Sequence, residues 1–211
     1  MLPTRREEPP AMTTLSPTEI ADRVQALRQD VIVGDCIDML PYRPEHDAEV
    51  VRLRNLPNVR YFLHLADEAT VEGQAAWRSG YEARTDDVMW LIRDKSGRIC
   101  GTNRLYDING RTAEKGSQIV EPEIARVVPA ALESEVRIIE TAFNTFGVDH
   151  VVAMIREDNT QVHSMNERFG FVRDSEAEIR GVRYLRFLLP RERWNPAPLQ
   201  AILKHWAKRY A

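Results

Sequence analysis

The first regular pattern in the chain is helical. Ile20, Val24 and Leu27 share one face of a segment that opens with Ser16-Pro17-Thr18-Glu19, where Ser caps, Pro occupies the first turn and Glu19 completes a capping box. Residues 1–13, rich in Pro, Arg and Glu, are expected to be disordered. A short strand is read from Asp35 to Leu40, and helices from His46 to Asn55 and Thr70 to Arg84, with Pro57 breaking the stretch between them. Val88-Met89-Trp90-Leu91-Ile92-Arg93 then reads as a strand, Asp94 to Gly97 as a turn, and Arg98 to Ile108 as the antiparallel partner. Asn109-Gly110 leads to a further strand ending between Val120 and Val128. Ala131 to Phe146 is an amphipathic helix with Leu132, Val136, Ile139 and Phe143 on one face. Val151 to Ile155 predicts a buried strand, Thr160 to Phe169 a short helix, Gly181 to Leu189 a last strand, and Asn195-Pro196 the start of a terminal helix. The order of elements predicts one α/β sheet.

Composition narrows the function classes. The 211 residues are 43% hydrophobic and 29% charged, with a formal net charge of −3, and the pI is about 6.0. No basic field points to nucleic acid or to a membrane surface. No apolar run approaches the roughly 20 residues that span a bilayer, and the N-terminal residues lack the apolar stretch of a secretory signal. Cys36 and Cys100 are the only cysteines, too few for a disulfide framework and wrongly spaced for zinc, so no metal is expected. A cytoplasmic location is the default reading.

Two segments carry a family likeness. Arg156-Glu157-Asp158-Asn159, followed by the run from Thr160 to Glu167-Arg168-Phe169-Gly170-Phe171, resembles the motif of GNAT N-acetyltransferases in which an Asn follows a core strand and a helix closes on Glu, a basic residue, an apolar residue, Gly and Phe. Thr141 to Val148, followed at once by Val151 to Met154, resembles the helix–strand pair around the cofactor site of that superfamily. The likeness covers roughly residues 35–190 and implies the GNAT fold, a mixed and mostly antiparallel sheet flanked by helices. Appended helices would lie at residues 14–34 and 191–211. The nearest subfamilies are bacterial enzymes that acylate proteins or nucleotide-linked aminosugars; Asn55-Leu56-Pro57-Asn58-Val59-Arg60 resembles an Asn-x-Pro-x-Val-Arg segment of the latter.

The resemblance implies acetyl-CoA as co-substrate, its pyrophosphate held at a helix N-terminus. The family's phosphate loop maps onto Arg126-Val127-Val128-Pro129-Ala130-Ala131. Arg126 and Ala131 match, whereas Pro129 stands where a glycine is usual and donates no N–H. Glu133 and Glu135, in the first turns of the following helix, would oppose a bound phosphate. Two registers are open: Glu123-Ile124-Ala125 ends the strand and the loop is short, or the strand runs through Ser117 to Glu121 and Pro122 to Ala131 is the full loop. The second is preferred.

Glu121 and Glu123 are the carboxylates implied for deprotonating the acceptor amine, or else solvated edge residues. Many relatives carry a Tyr where Asn166 stands; Asn cannot act as an acid near neutral pH, and His163, one turn away, is the alternative donor to the leaving thiolate. Asn159 either bonds the pantetheine arm or caps its helix. Arg52, Arg54 and Arg60 form a basic run suited to a nucleotide diphosphate or to a solvated helix face. Asn55 falls within the aminosugar-like segment. Trp77, Tyr81 and Trp90 are stacking candidates or core. The expected function is acetyl transfer to a small-molecule primary amine, preferentially a nucleotide-linked aminosugar. Protein N-terminal or small-amine acetylation, and an inactive binding module suggested by Pro129 and Asn166, are the alternatives. The amphipathic end helices offer a surface for a homodimer.

Overall fold

In this computed structural model, residues 14–63 and 67–209 are described; the expectation for residues 1–13 lies outside them. Eight strands, β1 (Ile32–Val33), β2 (Ile37–Pro41), β3 (Val88–Asp94), β4 (Ile99–Tyr106), β5 (Thr112–Val120), β6 (His150–Arg156), β7 (Val172–Ile179) and β8 (Val182–Pro190), form one sheet in the order β1-β2-β3-β4-β5-β6-β8-β7. Every pairing is antiparallel except β5 with β6. The helices are α1 (Pro17–Leu27), α2 (Asp47–Arg54), α3 (Pro57–Phe62), α4 (Val71–Glu82), α5 (Pro122–Ala125), α6 (Ala130–Glu140), α7 (Thr160–Arg168) and α8 (Ala197–Ala207).

The alternation of β3 divides the core between the two faces of the sheet, as a period of two requires. Trp90 and Ile92 face the main cluster with Ile138 and Ile139 of α6 and Ile20 and Val24 of α1. Met89 and Leu91 face the second cluster with Val50 of α2 and Tyr81 of α4. Ile138 and Ile139 are fully buried, and each side chain of that size contributes roughly 1.5–3 kcal/mol. The capping box at Ser16 and Glu19 forms as the sequence implies.

Several elements differ from the sequence reading for local reasons. Pro57 starts α3, its fixed φ suiting a first helical position, besides ending the preceding segment. The helix read as continuous to Phe146 changes at Thr141 into a π-helical turn, Thr141–Thr145. Side chains satisfy the backbone there: Arg191 Nη2 donates to the Phe143 carbonyl at 2.6 Å and to that of Val148 at 2.9 Å. β7 was not foreseen because Val172–Ile179 has no apolar alternation; it is an edge strand, paired only with β8, and most of its side chains are exposed.

Candidate active site

The site begins where β5 and β6 part. They pair only from Thr112↔His150 to Lys115↔Ala153. On the β4 side, Thr102 faces Ile119 and Arg104 faces Gly116, so Asn103 alone lies opposite Ser117 and Gln118. This is a bulge, which bends the strand and raises its twist. Ser117 adopts a left-handed φ of 52°, unusual for a residue with a Cβ and of the kind that collects at functional sites. Thr102 Oγ1 fixes it by donating to the Ser117 carbonyl at 2.8 Å. Beyond the bulge, the edge of β5 that would continue toward β6 has no strand partner among the described residues.

Two connected spaces fill the fork. An outer cleft of about 240 Å³ is walled by α3, by Gln118 to Val120 of β5, by Ala131 of α6 and by Asn159, Val162 and Met165 around α7. An inner space of about 150 Å³ reaches down between Lys115–Gln118 and Ala153–Arg156. Both include Phe62, Leu63, Gln118 and Asn159. Gln118 Nε2 ties the fork to α6 by donating to the Ala131 carbonyl at 3.0 Å. The roof is also tied: Tyr61 Oη donates to Asp158 Oδ2 at 2.6 Å, and Arg156 Nη1 donates to the Tyr61 carbonyl at 2.8 Å. Arg156 also donates from Nε and Nη2 to the Asp158 carboxylate at 2.9 and 2.7 Å, and these bonds, with that from Tyr61, hold the Asp158 carboxyl below the usual range.

Across Ser117 lies a third space of about 170 Å³, on the α2–α4 face, whose lining includes Val50, Arg54, Trp77, Met89, Arg104 and Ile119. It shares Leu63 and Ser117 with the inner space and Leu63 and Ile119 with the outer cleft. Ser117 and Leu63 thus stand where the fork and the α2–α4 pocket meet.

The loop register follows the longer alternative. β5 ends at Val120, Pro122–Ala125 is the single helical turn α5, and α6 starts at Ala130. Val127 and Val128 amides donate to the Ile124 carbonyl, at 3.0 and 2.8 Å, and are therefore engaged within the loop. Val128 and Ala130 are buried, while Arg126 and Val127 are exposed. The amides of Ala130, Ala131 and Leu132 open α6 and find no acceptor among the described residues, as helix starts require. Pro129 occupies the N-cap.

Glu133 and Glu135 do not oppose this terminus. Both are buried. Glu133 accepts the amides of Asp35, Cys36 and Ile37 at 2.6, 2.7 and 3.0 Å, and Glu135 Oε2 lies 2.6 Å from Lys115 Nζ.

The implied carboxylates fare differently from expectation. Glu121 is buried, and its two oxygens accept from Arg52 and Arg98. It lines none of the three spaces. Glu123 sits on α5 as an exposed residue, so the two glutamates do not share a strand face. His163 Nε2 lies 2.9 Å from the Arg156 carbonyl; a carbonyl only accepts, so this nitrogen carries the proton and is engaged there. Asn166 is fully buried, its Nδ2 donating to the Val162 carbonyl at 2.8 Å; it too stays out of the cleft. Asn159 precedes α7 without a side-chain cap bond and lines both parts of the fork.

On the acceptor side, Trp90 is wholly buried in the main core, on the face opposite the α2–α4 pocket, and offers no stacking surface. Asn55 is a backbone clamp, its Nδ2 and Oδ1 bonding the carbonyl and amide of Ala69 at 2.9 and 2.8 Å. Arg52 bonds Glu49, Glu121 and the Ile99 carbonyl. Arg54 lines the pocket. Sequence reasoning missed Arg104 and Ser117; the strand signal alone gave no sign of the bulge, and Gly116 was its only local mark. Among the described residues no cluster of His, Cys, Asp and Glu could hold a metal, and no helix is long and apolar enough to cross a membrane.

The profile of the acetyltransferase (GNAT) domain matches residues 38–172, and the chain belongs to that family. No curated protein sequence matches the chain significantly. Among solved structures, apo FdhC, described as a nucleotide-linked sugar GNAT, superposes with a TM-score of 0.70 at 20% identity, covering 82% of this chain and 97% of its own. A GCN5-related N-acetyltransferase from Brucella melitensis gives 0.69 at 20% identity, over 85% and 86%. Spermidine N-acetyltransferase from Vibrio cholerae, solved with CoA and spermine, gives 0.63 at 14% identity, over 76% and 98%. At these identities the likeness is one of fold.

Proposed function

We propose that the chain transfers an acetyl group from acetyl-CoA to the primary amine of a small acceptor, with a nucleotide-linked aminosugar as the preferred acceptor. The observation that carries this reading is the meeting of the β5/β6 fork with the arginine-bearing pocket at Ser117 and Leu63.

The residues present fit the co-substrate. The open edge of β5 after Gly116 can pair with an extended amide-bearing arm as a strand would, and the uncapped Asn159 side chain faces the same space. The unpaired amides of Ala130, Ala131 and Leu132 would hold the pyrophosphate at the positive end of α6. Exposed Arg126 would add a cation beside them. Pro129 contributes no N–H, so this loop holds phosphate with fewer donors than a glycine there would allow.

Bound acetyl-CoA supplies an activated thioester carbonyl. The acceptor nitrogen forms a bond to that carbon, the carbon–sulfur bond breaks, and the sulfur leaves as thiolate. The nitrogen loses a proton and the thiolate gains one, so amide and free thiol are the products. No carboxylate lines the acceptor pocket among the described residues, and the proton leaves to water. The guanidiniums of Arg54 and Arg104 assist by disfavouring the ammonium form of a nearby amine. The same lack of acid makes the pocket a poor host for a polyamine.

Release of free thiol from acetyl-CoA, followed with a thiol-reactive dye across aminosugar nucleotides, amino acids, polyamines and N-terminal peptides, tests the reading. Turnover with aminosugar nucleotides at low KM supports it. Turnover confined to polyamines or peptides overturns the acceptor assignment, and acetyl-CoA binding without turnover of any amine would favour the binding-module alternative.

A further inference from the structure

The run Arg52, Arg54, Arg60 does not act as a unit. Arg52 is paired with Glu49 and Glu121, and Arg60 with Glu68. Arg54 has no carboxylate within ion-pair distance among the described residues. Its Nη1 donates to Gln74 Oε1 at 3.3 Å, and its Nε is buried without an acceptor among the described residues. Burial, with a smaller contribution from nearby Arg104, pulls its pKa down. A guanidinium withdrawn from water without a counter-charge is costly. Evenly apolar surroundings would accommodate a leucine there at no such cost.

The neighbouring groups point the same way. Arg104 gives its Nε and Nη2 to Asp87, lays its guanidinium over the rings of Trp77 and Tyr106 at 5.0 and 4.5 Å, and lines the same space as Arg54. Trp77 supplies a flat apolar wall, held by stacking on Tyr81 at 5.7 Å with the rings 7° apart. The pocket, about 170 Å³, equals the liquid volume of roughly six waters. That is room for a compact charged group and the carbons joining it to the amine, with any nucleoside base lying outside.

We propose that the α2–α4 pocket binds an anionic group, carboxylate or phosphate, carried by the acceptor, and that Arg54 determines this specificity by forming the counter-charge pair. This rests on the transfer reading above and narrows it: the acceptor is a zwitterion whose anion lies in the pocket while its amine reaches Ser117. Carboxylate and phosphate are the two sources of the same chemistry.

Matched acceptors separate them. One pair is an amino acid and its decarboxylated amine; the other is glucosamine 6-phosphate and glucosamine. Wild-type protein is expected to favour the anionic member of one pair by tenfold or more in kcat/KM, and the pair that shows it names the source. Arg54→Gln is expected to raise KM for that anion by about tenfold, the scale of one charge-assisted bond, and to cut the advantage of the anionic acceptor over its neutral partner by the same factor. Arg54→Lys, which keeps the charge and loses the fork, should fall between. Arg54→Gln removes a half-buried cation that has no ion-pair partner among the described residues, so its melting temperature should hold or rise, which separates a binding defect from misfolding. Calorimetric titration of the same anions into the protein, with and without CoA, reads the pocket even if no amine is turned over. Binding of acetyl-CoA with no turnover would sink the transfer reading alone. Anion preference or anion binding that survives unchanged in Arg54→Gln, or wild-type indifference to the anion in both pairs, overturns the pocket assignment.

Discussion

Glu133 offers the sharpest test of how this chain is built. Its fully buried carboxylate takes the amides of Asp35, Cys36 and Ile37 at 2.6–3.0 Å, which fixes the start of β2 against the start of α6. Gly34 is part of the same clamp: a Cβ there would clash with Glu133 Oε1 and with the Ile37 carbonyl. Glu133→Ala strands three backbone donors, each worth about 1–3 kcal/mol when buried without a partner. With partial rescue by water entering the space, the expected loss is roughly 3–6 kcal/mol, a large part of the ~5–15 kcal/mol that holds a domain folded. Glu133→Gln keeps the shape but turns an amide donor toward a donor, at a cost of about 2–3 kcal/mol. Urea denaturation followed by the fluorescence of the four tryptophans measures both. A loss below about 0.5 kcal/mol for either variant, the range of ordinary surface changes, would refute the clamp. The same Glu133→Gln protein should bind CoA within about twofold of wild type, a difference under ~0.5 kcal/mol. Marked tightening would mean that the carboxylate does oppose the phosphate loop.

Other consequences follow from the same contacts. Glu121→Gln should keep kcat within about threefold and leave the pH–rate profile in place, because its oxygens bind Arg52 and Arg98 and not the cleft; a loss of the ~10²–10⁴-fold typical of a missing general base would restore it to the chemistry. Lys115→Met leaves Glu135 buried and unpaired and should cost about 3–5 kcal/mol in denaturation, whereas Lys115→Met with Glu135→Leu should recover most of that loss. Arg126→Ala should weaken acyl-CoA binding by about tenfold in calorimetry, one charge-assisted contact; unchanged affinity would remove Arg126 from the phosphate site. Glu114 is held above the usual carboxylate range by burial, against the lowering effect of its 2.5 Å bond from Tyr106. A raised carboxylate favours the fold below its unfolded value, and that contribution fades as pH rises through its folded value. Glu114→Gln, which never ionises, should therefore gain melting temperature on wild type as pH goes from about 4 to about 7; an equal gap at both pH values would contradict the burial.

Much of the fold could be read before the structure because local pattern and burial agree in it. The β3–β4 hairpin around Asp94 and Gly97, the capped start at Ser16 and the apolar face of α6 each place their side chains where a period of two or 3.6 puts them. β7 was lost because an exposed edge strand needs no alternation. The site was less legible, since its assignment depends on where side chains point after the chain has bent. Sequence position puts Glu133 and Glu135 at a phosphate site, yet both turn inward; it puts Trp90 near an acceptor, yet strand parity sends it to the other face. The arginine run shows the same limit: three like residues within nine positions acquire different partners, and only packing distinguishes Arg54. Ser117 carried no signal because a left-handed bulge is set by the misfit of β4 and β5.

The account stands on the β5/β6 fork and the start of α6 as the seat of the acyl donor, and calorimetric titration of the protein with acetyl-CoA and with free CoA measures that most directly. Micromolar binding of both, about −8 kcal/mol, lost when Val120→Pro or a bulky Ala131→Trp closes the outer cleft, is the predicted result. No heat and no thermal shift at millimolar ligand would contradict it.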